Sequence, residues 1–120
     1  MIVRRWRAVA DKAAPYIGHF RRRVLPTLRH VRGFRGAMVL RRIADDAIEI
    51  EVLTLWDSMG AIHGFAGDDA ERAVVEPEAR AALRRFDRRV RHLEVMLDAG
   101  CDSASTRRRR TLKRSYTRAR

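Results

Sequence analysis

An α+β domain, with four antiparallel strands in the ferredoxin-like split βαβ order, is what this sequence implies. Three observations carry that reading. Apolar spacing changes repeatedly along the chain between a period near two and a period near 3.6. Two alternating stretches, 34–44 and 47–56, are separated only by Asp45-Asp46, the pattern of a hairpin with a tight turn. Helical spacing lies between a first strand and this hairpin, and again between the hairpin and a last strand. The order is β-α-β-β-α-α-β, the split βαβ with its second helix broken in two.

Each element has its own warrant. IVRRWRAVA (2–10) alternates as a strand, with Ile2, Val3, Trp6 and Val9 apolar. Asp11 is placed to cap a helix whose apolar members are Ala13, Tyr16, Ile17, Phe20, Val24, Leu28 and Val31. Pro15 falls in its first turn, whereas Pro26 is expected to kink or break it near Leu25, and Gly33 ends it. After the hairpin, Asp57 or Ser58 caps a short helix bearing Ile62 and Phe65, and Gly67 stops it. Pro77 opens a further helix through EARAALRRF, by the preference of proline for the first helical position. A strand over roughly 87–97, DRRVRHLEVML, closes the domain.

The strands are apolar on both faces. Ile48, Ile50 and Val52 point one way and Leu53 and Leu55 the other; the last strand sets Val90 and Met96 against Leu93, Val95 and Leu97. A sheet with water on one side alternates cleanly, and this one does not. The face without helices is therefore expected to bury against the same sheet of a second copy, giving a homodimer.

At 120 residues the chain holds one modest core, and 46% apolar residues exclude a wholly disordered protein. No apolar run is long enough to span a membrane, and the first residues lack a secretory pattern. A single cysteine, Cys101, makes no internal disulfide, so the expected location is cytoplasmic. The net charge of +12 is uneven. Residues 100–120 hold eight Arg or Lys and one Asp, which divides the chain into a domain, 1–99, and a basic tail expected to be disordered. Its cations, from 107 to 120, suit non-specific contact with nucleic acid or another polyanion. With neither Asn nor Gln in the chain, bidentate readout of adenine is excluded.

The run TLWDSMGAIHGFAGDDAERAVV, followed by RRFDRRVRHLEV, resembles the antibiotic biosynthesis monooxygenase-like family, as do RRWRA, LPTLRHVRGFRGAMVLRR and IEIEVLTLWDS upstream. The resemblance covers roughly residues 2–97 and implies a dimeric α/β barrel. For function it implies a cofactor-independent monooxygenase, or a related small-molecule enzyme, acting on an aromatic or polyketide-like substrate. Haem-degrading members of this fold use an Asn, a Trp and a haem-ligating His. This chain has no Asn, places Phe65 where that Trp falls and Val74-Val75 where the His follows, so no haem and no other cofactor is expected.

Cofactor-free oxygenation needs an apolar pocket, a base that ionises a phenol or enol, and a cation for the anion formed. His92 and His63 are the candidate bases, since histidine titrates near neutrality. Glu94, two residues from His92 on the same strand face, is the candidate orienting carboxylate. Trp6, Phe34, Trp56 and Phe65 are candidate walls, and Arg4 or Arg41 the candidate cation. Each has a plainer reading: Trp56 and Phe65 as core, His92 and Glu94 as cross-strand pairing, His63 as a solvated side chain. His19 and His30, among arginines on the first helix, are expected to be exposed. Gly67-Asp68-Asp69 is a turn rather than a metal loop, and no metal-ligand spacing occurs. The function of a different class is a non-catalytic homodimer that binds a ligand or partner and uses its tail on anionic surfaces.

Overall fold

The computed structural model describes residues 1–100, so the expected tail lies outside the described residues, except for Gly100. β1 (Ile2–Ala10) is central. One edge pairs antiparallel along its whole length with β3 (Ile48–Trp56), from Ile2 opposite Trp56 to Ala10 opposite Ile48. β3 pairs in turn with β2 (Phe34–Ile43), and Ala44 N–H donates to the Ala47 carbonyl at 2.9 Å to close the hairpin around Asp45 and Asp46.

The other edge of β1 differs from expectation. The last strand comes in two pieces, β4 (Arg85–Phe86) and β5 (Arg91–Glu94), so the sheet has five strands rather than four. Between them the chain leaves β1 and binds residues 71–73 instead: Ala73 N–H reaches the Arg88 carbonyl at 2.8 Å and Val90 N–H the Glu71 carbonyl at 2.7 Å. The start of the last strand also shortens the preceding helix. α4 runs only over Pro77–Ala81, and Arg85 and Phe86, expected to be helical, are strand.

The helices cover one face. α1 (Ala13–His19) begins at Lys12 with no side-chain cap. Asp11, expected to cap it, is instead an ion-pair partner of Arg84, because a guanidinium on the neighbouring edge outcompetes a backbone N–H. The helix does not break at Pro26. A wide turn, Phe20–Val24, precedes α2 (Leu25–Arg29), and Leu25 N–H bonds five residues back to the Phe20 carbonyl. Proline has no N–H to give and its ring crowds the carbonyl four residues before it; a wide turn accommodates both and lets the helix continue. Leu28 beyond it is 1% exposed.

α3 (Met59–Ala66) is capped by Ser58, whose hydroxyl accepts from Ala61 N–H at 3.2 Å, and it ends at Gly67, φ 84°. Gly33, at φ 90°, turns the chain into β2 so tightly that a Cβ there would lie 2.5 Å from the Ala61 methyl. The core lies between helices and sheet, with Trp6, Ala8, Ala10, Ile50, Val52 and Trp56 from the sheet meeting Tyr16, Phe20, Leu28 and Ile62. No helix among the described residues is long and apolar enough to cross a membrane.

On the opposite face, the register aligns Leu55, Val3 and Leu93 in one cross-strand row, with Met38 and Leu53 in the next. Leu93 and Met38 are 45% and 50% exposed. Farther along the same face the side chains turn charged, with ion pairs Arg42–Glu49, Arg5–Glu51 and Arg7–Asp87.

Candidate functional site

Arg4 organises the core at one end of the sheet. The two-residue period of β1 puts it on the same face as Trp6, Ala8 and Ala10, and it is 5% exposed. Its guanidinium donates from Nη1 to the Ala70 carbonyl and from Nη2 to the Arg72 carbonyl at 2.8 Å, clamping the strap that follows α3. Nη1 also lies 3.2 Å from His92 Nε2, and the group sits 5.8 Å from the centre of the Phe65 ring. Among the described residues it has no carboxylate in ion-pair range. Burial alone lowers its pKa to about 10. Of its five protons, the Nε proton and one on Nη2 are left for another acceptor.

His92 reaches Arg4 because β5 pairs with β1 with these two residues opposite each other. A guanidinium only donates, so Nε2 accepts and the ring is neutral in this arrangement. Burial, then the charge of Arg4, holds its pKa below the ordinary histidine range, against an opposing pull from Glu71. Glu94 makes no hydrogen bond or ion pair with His92 among the described residues; Arg4 is its partner. His63 is exposed on α3, and its Nδ1–H donates to the Gly67 carbonyl at 2.9 Å. It is close enough to lower the pKa of His92 slightly.

The candidate aromatic walls split into two groups. Phe34 meets Trp56 edge-on at 5.4 Å, Trp56 stacks on Phe65 at 5.7 Å, and Arg4 lies over Phe65. Trp56 is fully buried, with Nε1 donating to Thr54 Oγ1 at 2.9 Å. Trp6 belongs instead with Tyr16, at 5.6 Å, and Phe86, at 6.3 Å. Arg41 is exposed opposite Ile50, toward the far end of β3 from the Arg4–Thr54 pair, and lines a separate groove of about 420 Å³.

Between sheet and helices lies a cavity of about 60 Å³, with Arg4, Trp6, Tyr16, His19, Phe65 and Glu76 among its walls. Neither His63 nor His92 lines it. An outer groove of about 610 Å³ adjoins it and shares Phe65, Val74, Val75 and Glu76. Burial pushes the Tyr16 phenol far above its ordinary pKa, so the hydroxyl stays protonated.

One wall residue overturns an expectation: His19 is 1% exposed, not solvated. Its Nδ1 is 3.1 Å from Glu78 Oε2, at ion-pair distance but off the line of a well-directed hydrogen bond. The signal was its spacing, three residues after Tyr16 and six after Ala13 on the buried helix face. The adjacent arginines obscured it. His30 is exposed, as expected.

No family model matches this sequence, and no curated protein matches it. Among solved structures the chain is similar to a mutant of MhuD with two manganese protoporphyrin IX molecules bound per active site, at 21% identity and a TM-score of 0.55, covering 83% of this chain and 99% of that one. The fold common to the two is the ferredoxin-like α+β fold, here an antiparallel five-stranded sheet with helices on one face.

Proposed function

We propose that this chain is a cytoplasmic small-molecule enzyme of monooxygenase type, acting without a cofactor on an acidic aromatic or polyketide-like molecule held at Arg4. The observation that carries this reading is a buried guanidinium with no acidic partner among the described residues and two protons unused by them. Burying a cation against neutral carbonyls alone is costly, and an anionic ligand offsets that cost. His92, kept neutral beside Arg4, is the base nearest this anion once its Nε2 gives up the hydrogen bond from Arg4, with His63 behind it on α3. Ionisation of a CH₂ group beside a carbonyl passes its proton to the base. The carbanion adds dioxygen, the proton returns to give a hydroperoxide, and loss of water leaves a ketone. CH₂ and O₂ become C=O and H₂O, with no outside reductant.

A porphyrin, which the MhuD structure carries, does not fit the residues here. The inner cavity is about 60 Å³, and the buried His19 is the one His, Cys or Met among its described walls; the outer groove has no His, Cys or Met among its described lining.

The test is oxygen uptake with anthrone, followed by electrode against a protein-free control. One O₂ consumed per anthrone, lost in Arg4→Met protein that retains its fold, is the expected result. The small size of the inner cavity favours a second reading, a non-catalytic homodimer that binds a ligand or partner and contacts polyanions through residues 107–120. Absence of uptake across anthrones, enols and naphthols would leave that reading in place. Both readings include a dimer through the row Leu55, Val3 and Leu93, and sedimentation of Leu55→Glu against wild type tests it.

A further inference from the structure

We infer that His19 and Glu78 form an imidazole–carboxylate pair that receives the hydroxyl group of a phenol- or enol-bearing ligand at His19 Nε2. Four observations converge on this. His19 is 1% exposed, yet among the described residues Nδ1 makes no well-directed hydrogen bond and Nε2 has no partner. That nitrogen belongs to a wall residue of the inner cavity, which Arg4 also lines. Glu78 Oε2 lies 3.1 Å from Nδ1, and a carboxylate beside that nitrogen favours the tautomer with its proton on Nδ1 and its lone pair on Nε2. The wide turn Phe20–Val24 begins immediately after His19, and such turns are frequent at functional sites.

A packing role alone explains this poorly. A buried nitrogen without a partner is destabilising, a cost that a phenylalanine at this position would avoid. The carboxylate is well supported: Arg22 Nη2 stands 3.5 Å and Arg23 Nε 3.8 Å from Glu78. Contact with His19, with the charges of Arg22 and Arg23, holds Glu78 below the ordinary carboxylate range, so it is ionised at neutral pH.

The cavity sizes define the ligand. About 60 Å³ is well under the ~150 Å³ of an engineered cavity that admits benzene. Only the polar end of an aromatic molecule enters, and its body lies in the adjoining groove of about 610 Å³ along Phe65, Val74 and Val75. When the ligand ionises, its O–H bond breaks, an N–H bond forms at Nε2, and Glu78 faces the resulting imidazolium. The ligand oxyanion is left to the free protons of Arg4. The inference stands whether or not the bound molecule is later oxidised.

The experiment is a titration of the full-length protein, labelled with ¹⁵N-histidine, with phenol and with anisole, which has no hydroxyl proton. Free protein should show Nδ1 protonated and Nε2 bare, and phenol should move the Nε2 resonance saturably while anisole does not. His19→Phe should lower phenol affinity about five- to tenfold, the worth of one hydrogen bond. Glu78→Gln should let the ring proton redistribute to Nε2 and shrink the response to phenol. A protonated Nε2 in the free protein, or an Nε2 resonance unmoved at the highest phenol concentration, overturns the inference. Phenol that moves His92 but not His19 overturns it while leaving the Arg4 site standing.

Discussion

Replacing Arg4 with methionine separates its service to the fold from its service to a ligand. Lowering a guanidinium to a pKa of about 10 by burial corresponds to a penalty of about 3 kcal/mol, which methionine removes. Against this, the Ala70 and Arg72 carbonyls lose their donor, at about 1–2 kcal/mol each. The two nearly cancel, so Arg4→Met should change stability by less than about 2 kcal/mol. Urea unfolding followed by the fluorescence of Trp6 and Trp56, both buried, measures this directly. With a slope of roughly 2 kcal/mol per molar, the midpoint should move by less than about 1 M. Binding of phenolate-type anions should fall at least about tenfold in the same protein, since a charge-assisted hydrogen bond is lost. A loss of 3–5 kcal/mol, about what breaking a buried ion pair costs, would refute the reasoning, because Arg4 would then be needed chiefly as a clamp.

Other consequences are equally accessible. Gly33→Ala should cost more than Gly67→Ala in thermal melts: both need positive φ, worth about 1–3 kcal/mol, but only at Gly33 would the new methyl strike Ala61. Ser58→Ala should cost about 1 kcal/mol by loss of the α3 cap, read from the same melts. His92 has a lower pKa folded than unfolded, so the unfolded chain binds a proton first as the pH drops. Stability should therefore decline as pH falls from about 6.5 toward the folded pKa, and His92→Phe should flatten that part of the stability–pH curve.

Much of this architecture was legible because local rules and tertiary packing agree. Strand alternation, the Asp45-Asp46 turn, the Ser58 cap and the Gly67 stop all act over a few residues, and each occurs where the pattern places it. The failures share a different cause. Asp11 goes to Arg84, which is remote in sequence. The last helix yields Arg85 and Phe86 to the open edge of β1, where backbone pairing outweighs helix propensity. The site was legible in part: Arg4, His92, Phe65 and Trp56 do gather at one end of the sheet. His19 escaped notice because three consecutive arginines suggest a solvated face, whereas the wide turn after it changes which side chains share a face. Glu78 escaped because its relation to His19 exists only once α4 packs beside α1.

The wide turn also carries a rule about chain length. It holds one residue more than an ordinary helical turn, so removing any one of Arg21, Arg22 or Arg23 would restore a regular helical turn and leave the faces of the flanking helices in place. Leu28 would stay on the core side, but the Pro26 ring would then meet the carbonyl four residues before it. Substitution among these three arginines is thus a surface matter, but their number is not. The segment works as a relief built around one proline, tolerant of what it is made of and intolerant of how long it is.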